Sequence, residues 1–143
     1  MDTRIVEFLR KDKVSVLTTL IKGGRPHSAT VHYAMSEEPF YFVVWTGSKS
    51  RKLSVIRIGR SVQASMVIGF SEKKWLTMQM EGELKWLKTD NEIADAWSVY
   101  RWKYGGTKKF ENGPDSALVR FTPNWWRFTK VKPYPSLIIS SEP

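Results

Sequence analysis

A chain of 143 residues fits one domain, residues 1–143, able to bury about two thirds of the surface that its unfolded form exposes. The absence of cysteine excludes disulfides, thiol nucleophiles and cysteine metal sites. No apolar run approaches the roughly 20 residues that span a bilayer, and the N-terminus lacks the layout of a secretory signal, so a cytoplasmic protein without a membrane span is expected. A formal charge of +9 favours anionic partners, whether nucleic acid, an acidic surface or a phosphorylated small molecule.

In chain order, Asp2 or Thr3 caps a helix to about Arg10, with Ile5, Val6, Phe8 and Leu9 on its apolar side. Val14 to Leu20 is a strand, and Lys22-Gly23-Gly24-Arg25 makes a hairpin turn. The return strand, His27 to Met35, alternates His27, Ala29, Val31 and Tyr33 against Ser28, Thr30, His32 and Ala34. Neither face is purely apolar, which suits a strand that lines a site. Phe40 to Trp45 is another strand, followed by the turn Thr46-Gly47-Ser48. Ser50 then reads as the N-cap of a short helix with Arg51 and Lys52 in its first turn and Lys49 just outside. Cations there oppose the helix dipole at roughly 0.3–1 kcal/mol each, and a bound phosphate would reverse that cost. Three solvated surface cations are the plainer alternative. Leu53, Val55, Ile56 and Ile58 extend this helix to Gly59.

Ser61 to Phe70 is a further strand. Trp75 to Trp86 sets Leu76, Met78, Met80, Leu84 and Trp86 against Thr77, Gln79, Glu81 and Glu83, with Gly82 marking a bend or bulge. Thr89-Asp90-Asn91-Glu92 is a capping box that opens a helix through about Lys103, stopped by Gly105 and Gly106. A glycine-bearing loop runs to Pro114. In the last strand, Leu118 to Lys130, Pro123 demands an edge or a bulge, and the apolar tail Leu137-Ile138-Ile139 needs a cover. Six strands, mostly antiparallel, imply a mainly β (α+β) barrel decorated by helices.

His27 and His32 fall on opposite faces of one strand with no third ligand evident, so no metal site is expected. Glu81 and Glu83 share a strand face, where exposed carboxylates are commoner than a catalytic pair. Trp125 and Trp126 point to opposite faces, one as core and the other as a stacking or subunit contact.

Trp45-Thr46-Gly47-Ser48-Lys49-Ser50-Arg51-Lys52 resembles the aromatic-Thr-x-x-x-Ser-Arg-Lys segment of the flavin-binding split-barrel family that includes pyridoxamine 5′-phosphate oxidase. Gly24-Arg25-Pro26-His27-Ser28-Ala29-Thr30-Val31 is similar to that family's Gly-x-Pro strand. The likeness implies a six-stranded antiparallel split β-barrel with flanking helices, working as a homodimer with FMN at the subunit interface. It implies that Arg51 and Lys52, beside Lys49 and Ser50, grip the phosphate, that Trp45 and Thr46 flank the ribityl chain and ring, and that Ala29, Thr30, Val31 and His32 line the ring. Thr77 falls where the oxidases carry a flavin-contacting glutamine. Thr122 to Arg127 resembles the late strand whose tryptophan, here assigned to Trp126, approaches the cofactor.

Two departures bear on substrate. His32-Tyr33-Ala34 stands where the oxidases have a lysine for pyridoxal phosphate, and their C-terminal Arg-x-His is missing. The likeness therefore points away from a genuine pyridoxamine phosphate oxidase. It suggests an FMN-binding oxidoreductase-like relative that passes hydride to an unknown small molecule, with catalytic residues unassigned. A deazaflavin-dependent reductase, a cofactor store and a basic nucleic-acid-binding module are the alternatives.

Overall fold

The computed structural model describes residues 1–108, 111 and 113–142, so part of the expected loop from Tyr104 to Pro114 lies outside the described residues. Helix α1 (Thr3–Lys11) begins where Asp2 accepts the Arg4 N–H at 2.9 Å, and Ile5, Val6, Phe8 and Leu9 are buried. Strands β1 (Val14–Ile21) and β2 (Arg25–His32) form a hairpin around Gly23, whose φ of +80° suits glycine. The return strand is shorter than its alternation predicts. Fully buried Tyr33 closes the β1–β2 ladder with its N–H on the Lys13 carbonyl at 3.0 Å, and its hydroxyl donates to the Leu9 carbonyl at 2.7 Å, where the hairpin ends against α1. The chain then re-forms as β3 (Ala34–Ser36), which pairs with β4 (Tyr41–Gly47) instead of β1.

β5 (Ser61–Ile68), β6 (Leu76–Trp86), helix α2 (Asp90–Tyr104), β7 (Ser116–Lys130) and β8 (Leu137–Ser140) follow. The described strands form one antiparallel sheet in the order β2-β1-β5-β6-β7-β4-β3, with β8 added to β7. Eight strands stand where six were expected, because β3 splits from the return strand and the apolar tail becomes β8. The sheet curls until β2 meets β4, which gives the split barrel. No described helix is long and apolar enough to cross a membrane.

The curl depends on one bulge. Gly82 pairs with Pro123 and Glu81 with Trp125, which leaves Asn124 without a partner on β6. A Cβ at Gly82 would lie 2.1 Å from the Thr122 carbonyl oxygen and 2.8 Å from the Pro123 Cα. The barrel interior is filled by side chains such as Leu17, Phe42, Met66, Met80 and Phe121, and α1 closes one end. A second core lies on the other side of β4 and β7, where Val43 and Leu118 meet Ala96, Trp97 and Tyr100 of α2. Thr89 starts α2 by accepting the Glu92 N–H at 3.2 Å.

Lys103 ties the two helices together. Its Nζ donates to the carbonyls of Leu9 and Asp12 at the end of α1 and sits 3.9 Å from the Tyr33 ring centroid. Burial pushes its pKa down from 10.5 to about 8. Between those values the unfolded chain binds more protons than the folded one, so stability rises with pH across that window. The raised Tyr33 and Tyr104 hydroxyls, shifted mainly by burial, oppose this only above about 10.

Two expectations follow. Gly82→Ala lowers unfolding stability by about 3 kcal/mol or more, read from urea midpoints, and a loss below about 0.5 kcal/mol would contradict the bulge's role. Lys103→Met shows a smaller gain in thermal midpoint between pH about 8 and about 10 than the parent chain, whereas parallel profiles would refute the titration of Lys103.

Candidate functional site

β4 ends in a tight turn, in which the Ser48 N–H donates to the Asp115 carbonyl at 2.8 Å and the Ser50 N–H to the Gly47 carbonyl at 3.1 Å. A single 3-10 turn, Arg51–Leu53, follows. The helix expected as far as Gly59 does not form. Only Leu53 and Ile56 reach the core, while Val55 and Ile58 are exposed, so the apolar residues anchor a turn and no longer stripe. The Ser50 side chain makes no capping bond. A helix dipole therefore sets no cost on these cations; Lys52 alone carries one, from dehydration.

The turn is fixed from beneath by the buried Thr19 hydroxyl, which donates to the Lys52 carbonyl at 3.0 Å. The segment packs on β1 and β2, and Lys52 is only 8% exposed. Burial lowers its pKa, and among the described residues its ammonium has neither a carboxylate nor a hydrogen-bond partner. The Ser50 hydroxyl is also buried and unpaired. Arg51 and Lys49 stand exposed beside them, without an ion pair among the described residues. A largely buried lysine without a counter-ion among the described residues and, two positions before it, a buried hydroxyl without a partner each carry a cost, and phosphate oxygens suit both groups.

The other expected residues divide by face. Val31 is buried and Ala29 half-buried on the side of β2 that faces inward with Thr19, whereas Thr30 and His32 are exposed on the outer face. The His32 ring meets Tyr104 edge-on at 6.1 Å. The Trp45 ring packs against Trp97 and Tyr100, at 6.1 and 6.5 Å, so α2 fixes it. With Thr46, Gly47 and Ser116, Trp45 also lines an open pocket of about 410 Å³. Thr77 lies on the outer face, five residues from Gly82, which shares a register row with Thr19 through Ala64. That separates Thr77 from the clamp row by roughly 16 Å along the strand. Trp126 pairs with Met80 and packs its half-buried ring on the core, because strand parity turns it inward. Trp125 takes the outer face, with the Arg127 guanidinium 5.5 Å from its ring.

Within one chain, then, β2, the end of β4 and the cationic turn converge, while Thr77 and Trp126 lie apart from them. Thr19 is the contributor that sequence reading missed. Its signal was a hydroxyl at the same strand parity as buried Leu17 and Ile21, where an apolar residue is the default.

The profile of pyridoxamine 5′-phosphate oxidase matches residues 1–130. The chain belongs to that family. No curated protein matches its sequence significantly. Among solved structures, this family member is similar to a Clostridium acetobutylicum protein related to general stress protein 26, of the pyridoxinephosphate oxidase family, with TM-score 0.68 and 13% identity over 97% of this chain and 93% of that one. It is similar to HutZ, the heme storage protein of Vibrio cholerae, with TM-score 0.69 and 18% identity over 85% and 89%. It also resembles a heme binding protein from Mycobacterium smegmatis, with TM-score 0.70 and 17% identity over 94% of this chain but 56% of that one. At these identities the likeness shows the fold.

If dehydration of Lys52 is the cost of keeping an anion site, Lys52→Met raises the stability of the ligand-free protein by about 1 kcal/mol at neutral pH while removing its response to phosphate ligands. Calorimetric unfolding with and without inorganic phosphate measures both, and a destabilised ligand-free variant would refute the argument.

Proposed function

We propose that this chain binds FMN by its phosphate at Ser50, Arg51 and Lys52, and acts as a homodimeric, flavin-dependent oxidoreductase on a small molecule. The observation that carries the proposal is the largely buried Lys52, which has no counter-ion among the described residues, two positions from the buried, unpartnered Ser50 hydroxyl, on the segment that resembles the family's Ser-Arg-Lys. A bound flavin supplies hydride-transfer chemistry of its own, so the protein need only bind, orient and exclude water. Arg51 and Lys52 neutralise the phosphate, Thr19 holds the turn in position, and the exposed face carrying Thr30, His32 and Trp125 is the surface on which a second subunit would complete the site.

The same clamp serves a deazaflavin coenzyme, which also carries phosphate. The departures at His32-Tyr33-Ala34 argue against pyridoxamine phosphate itself as substrate. Heme is the second reading, favoured by the two heme proteins that share the fold. Nucleic acid ranks lower, because the +9 charge is scattered along the chain and forms no basic tail.

FMN titrated into the purified chain should quench flavin fluorescence and, at about 100 times its dissociation constant, stabilise the fold by about 2.7 kcal/mol. The double variant Arg51→Ala/Lys52→Ala weakens FMN about 100-fold but barely alters binding of riboflavin, which lacks the phosphate. Equal losses for both ligands would remove the phosphate clamp from the account. A colourless protein indifferent to FMN and deazaflavin, yet giving a saturable Soret shift with hemin, would replace the proposal by the heme reading.

A further inference from the structure

Six residues along β6 from the bulge, roughly 20 Å from the clamp row, α1 leaves a groove against β6 and β7. Its floor is Phe8, Leu76 and Phe128, with the two phenylalanine rings 5.8 Å apart. Its volume is about 320 Å³, the bulk of about eleven waters. Lys11 and Lys130 stand on the rim without an ion-pair partner among the described residues, as does Glu7. Arg4 is held by Asp2 at 2.8 Å. A smaller chamber of about 220 Å³ continues over Phe8 and Leu76 toward exposed Phe70. The Lys74–Asp12 ion pair, at 3.1 Å, lines both chambers and cancels the one acidic charge they share.

We propose that this groove binds a small amphipathic carboxylate, its hydrocarbon on the phenylalanine floor and its head at Lys11 and Lys130. The floor is apolar and concave, so it favours a hydrocarbon body. With Asp12 and Arg4 already paired, the two free lysines outweigh Glu7, and the remaining charge selects an anionic head. The groove is too small to seat a second copy of the chain, which needs a contact area near 1,000 Å² or more. It is also far enough from the clamp for both to be filled at once.

Decanoate titrated into the full chain and followed by amide NMR should saturate at one site below about 1 mM, with the largest shifts at Phe8, Leu76 and Phe128. Added FMN does not displace it, which keeps this test independent of the flavin reading. Lys11→Gln/Lys130→Gln weakens decanoate about tenfold without moving the thermal midpoint, and Leu76→Trp abolishes binding by filling the floor. Equal affinity for decyltrimethylammonium, shifts centred on Ser50 to Leu53, or a response only to vesicles of anionic lipid would each overturn the proposal.

Discussion

The hydrogen bond from Thr19 to the Lys52 carbonyl is the constraint on which the candidate site depends. A three-residue 3-10 turn has little internal stability, so something outside it must hold its backbone. The buried hydroxyl on β1 does so, and Leu53 anchors the same turn in the barrel core. With the backbone fixed, the Lys52 stem stays packed against the barrel. The result is a preorganised cation that requires little rearrangement on meeting an anion.

The rest of the fold positions that turn. The hairpin of β1 and β2 supplies its floor, and the bulge at Gly82 and Pro123 gives the sheet enough curvature to bring β2 beside β4. Two packing layers share β4 and β7: alternate residues face the barrel interior or α2, which is why Trp45 belongs to one layer and Val44 to the other. Lys103 joins α2 to the end of α1 by charge and carbonyl contacts in place of a larger apolar interface.

Much of this was legible in the sequence because local rules and tertiary packing agree. The periodicity of Ile5 to Leu9, the capping residue Thr89, and Gly82 and Pro123 each as a bulge signal carry their reason locally, although only the structure shows that the last two face each other. Where reading failed, a long-range contact decided. Tyr33 looked like one more alternating strand residue until its hydroxyl was seen to be held by α1. Residues 54–60 looked helical because Val55, Ile56 and Ile58 are apolar, but only Ile56 finds the core. Parity separated Trp125 from Trp126, yet only the pairing with Met80 told which one faces the core. At the site, the residue types were readable and the reason for their strain was not: a dipole was expected, and burial took its place.

The tail strand has a consequence for how the molecule meets its own copies. β4 and β8 occupy opposite stretches of the same side of β7, so that long strand offers little open hydrogen-bonding border. The remaining borders include β2, which begins Arg25-Pro26, and the short strands β3 and β8. A proline and a short rim are poor templates for adding another strand. Open-ended ribbon growth by strand addition is thereby disfavoured.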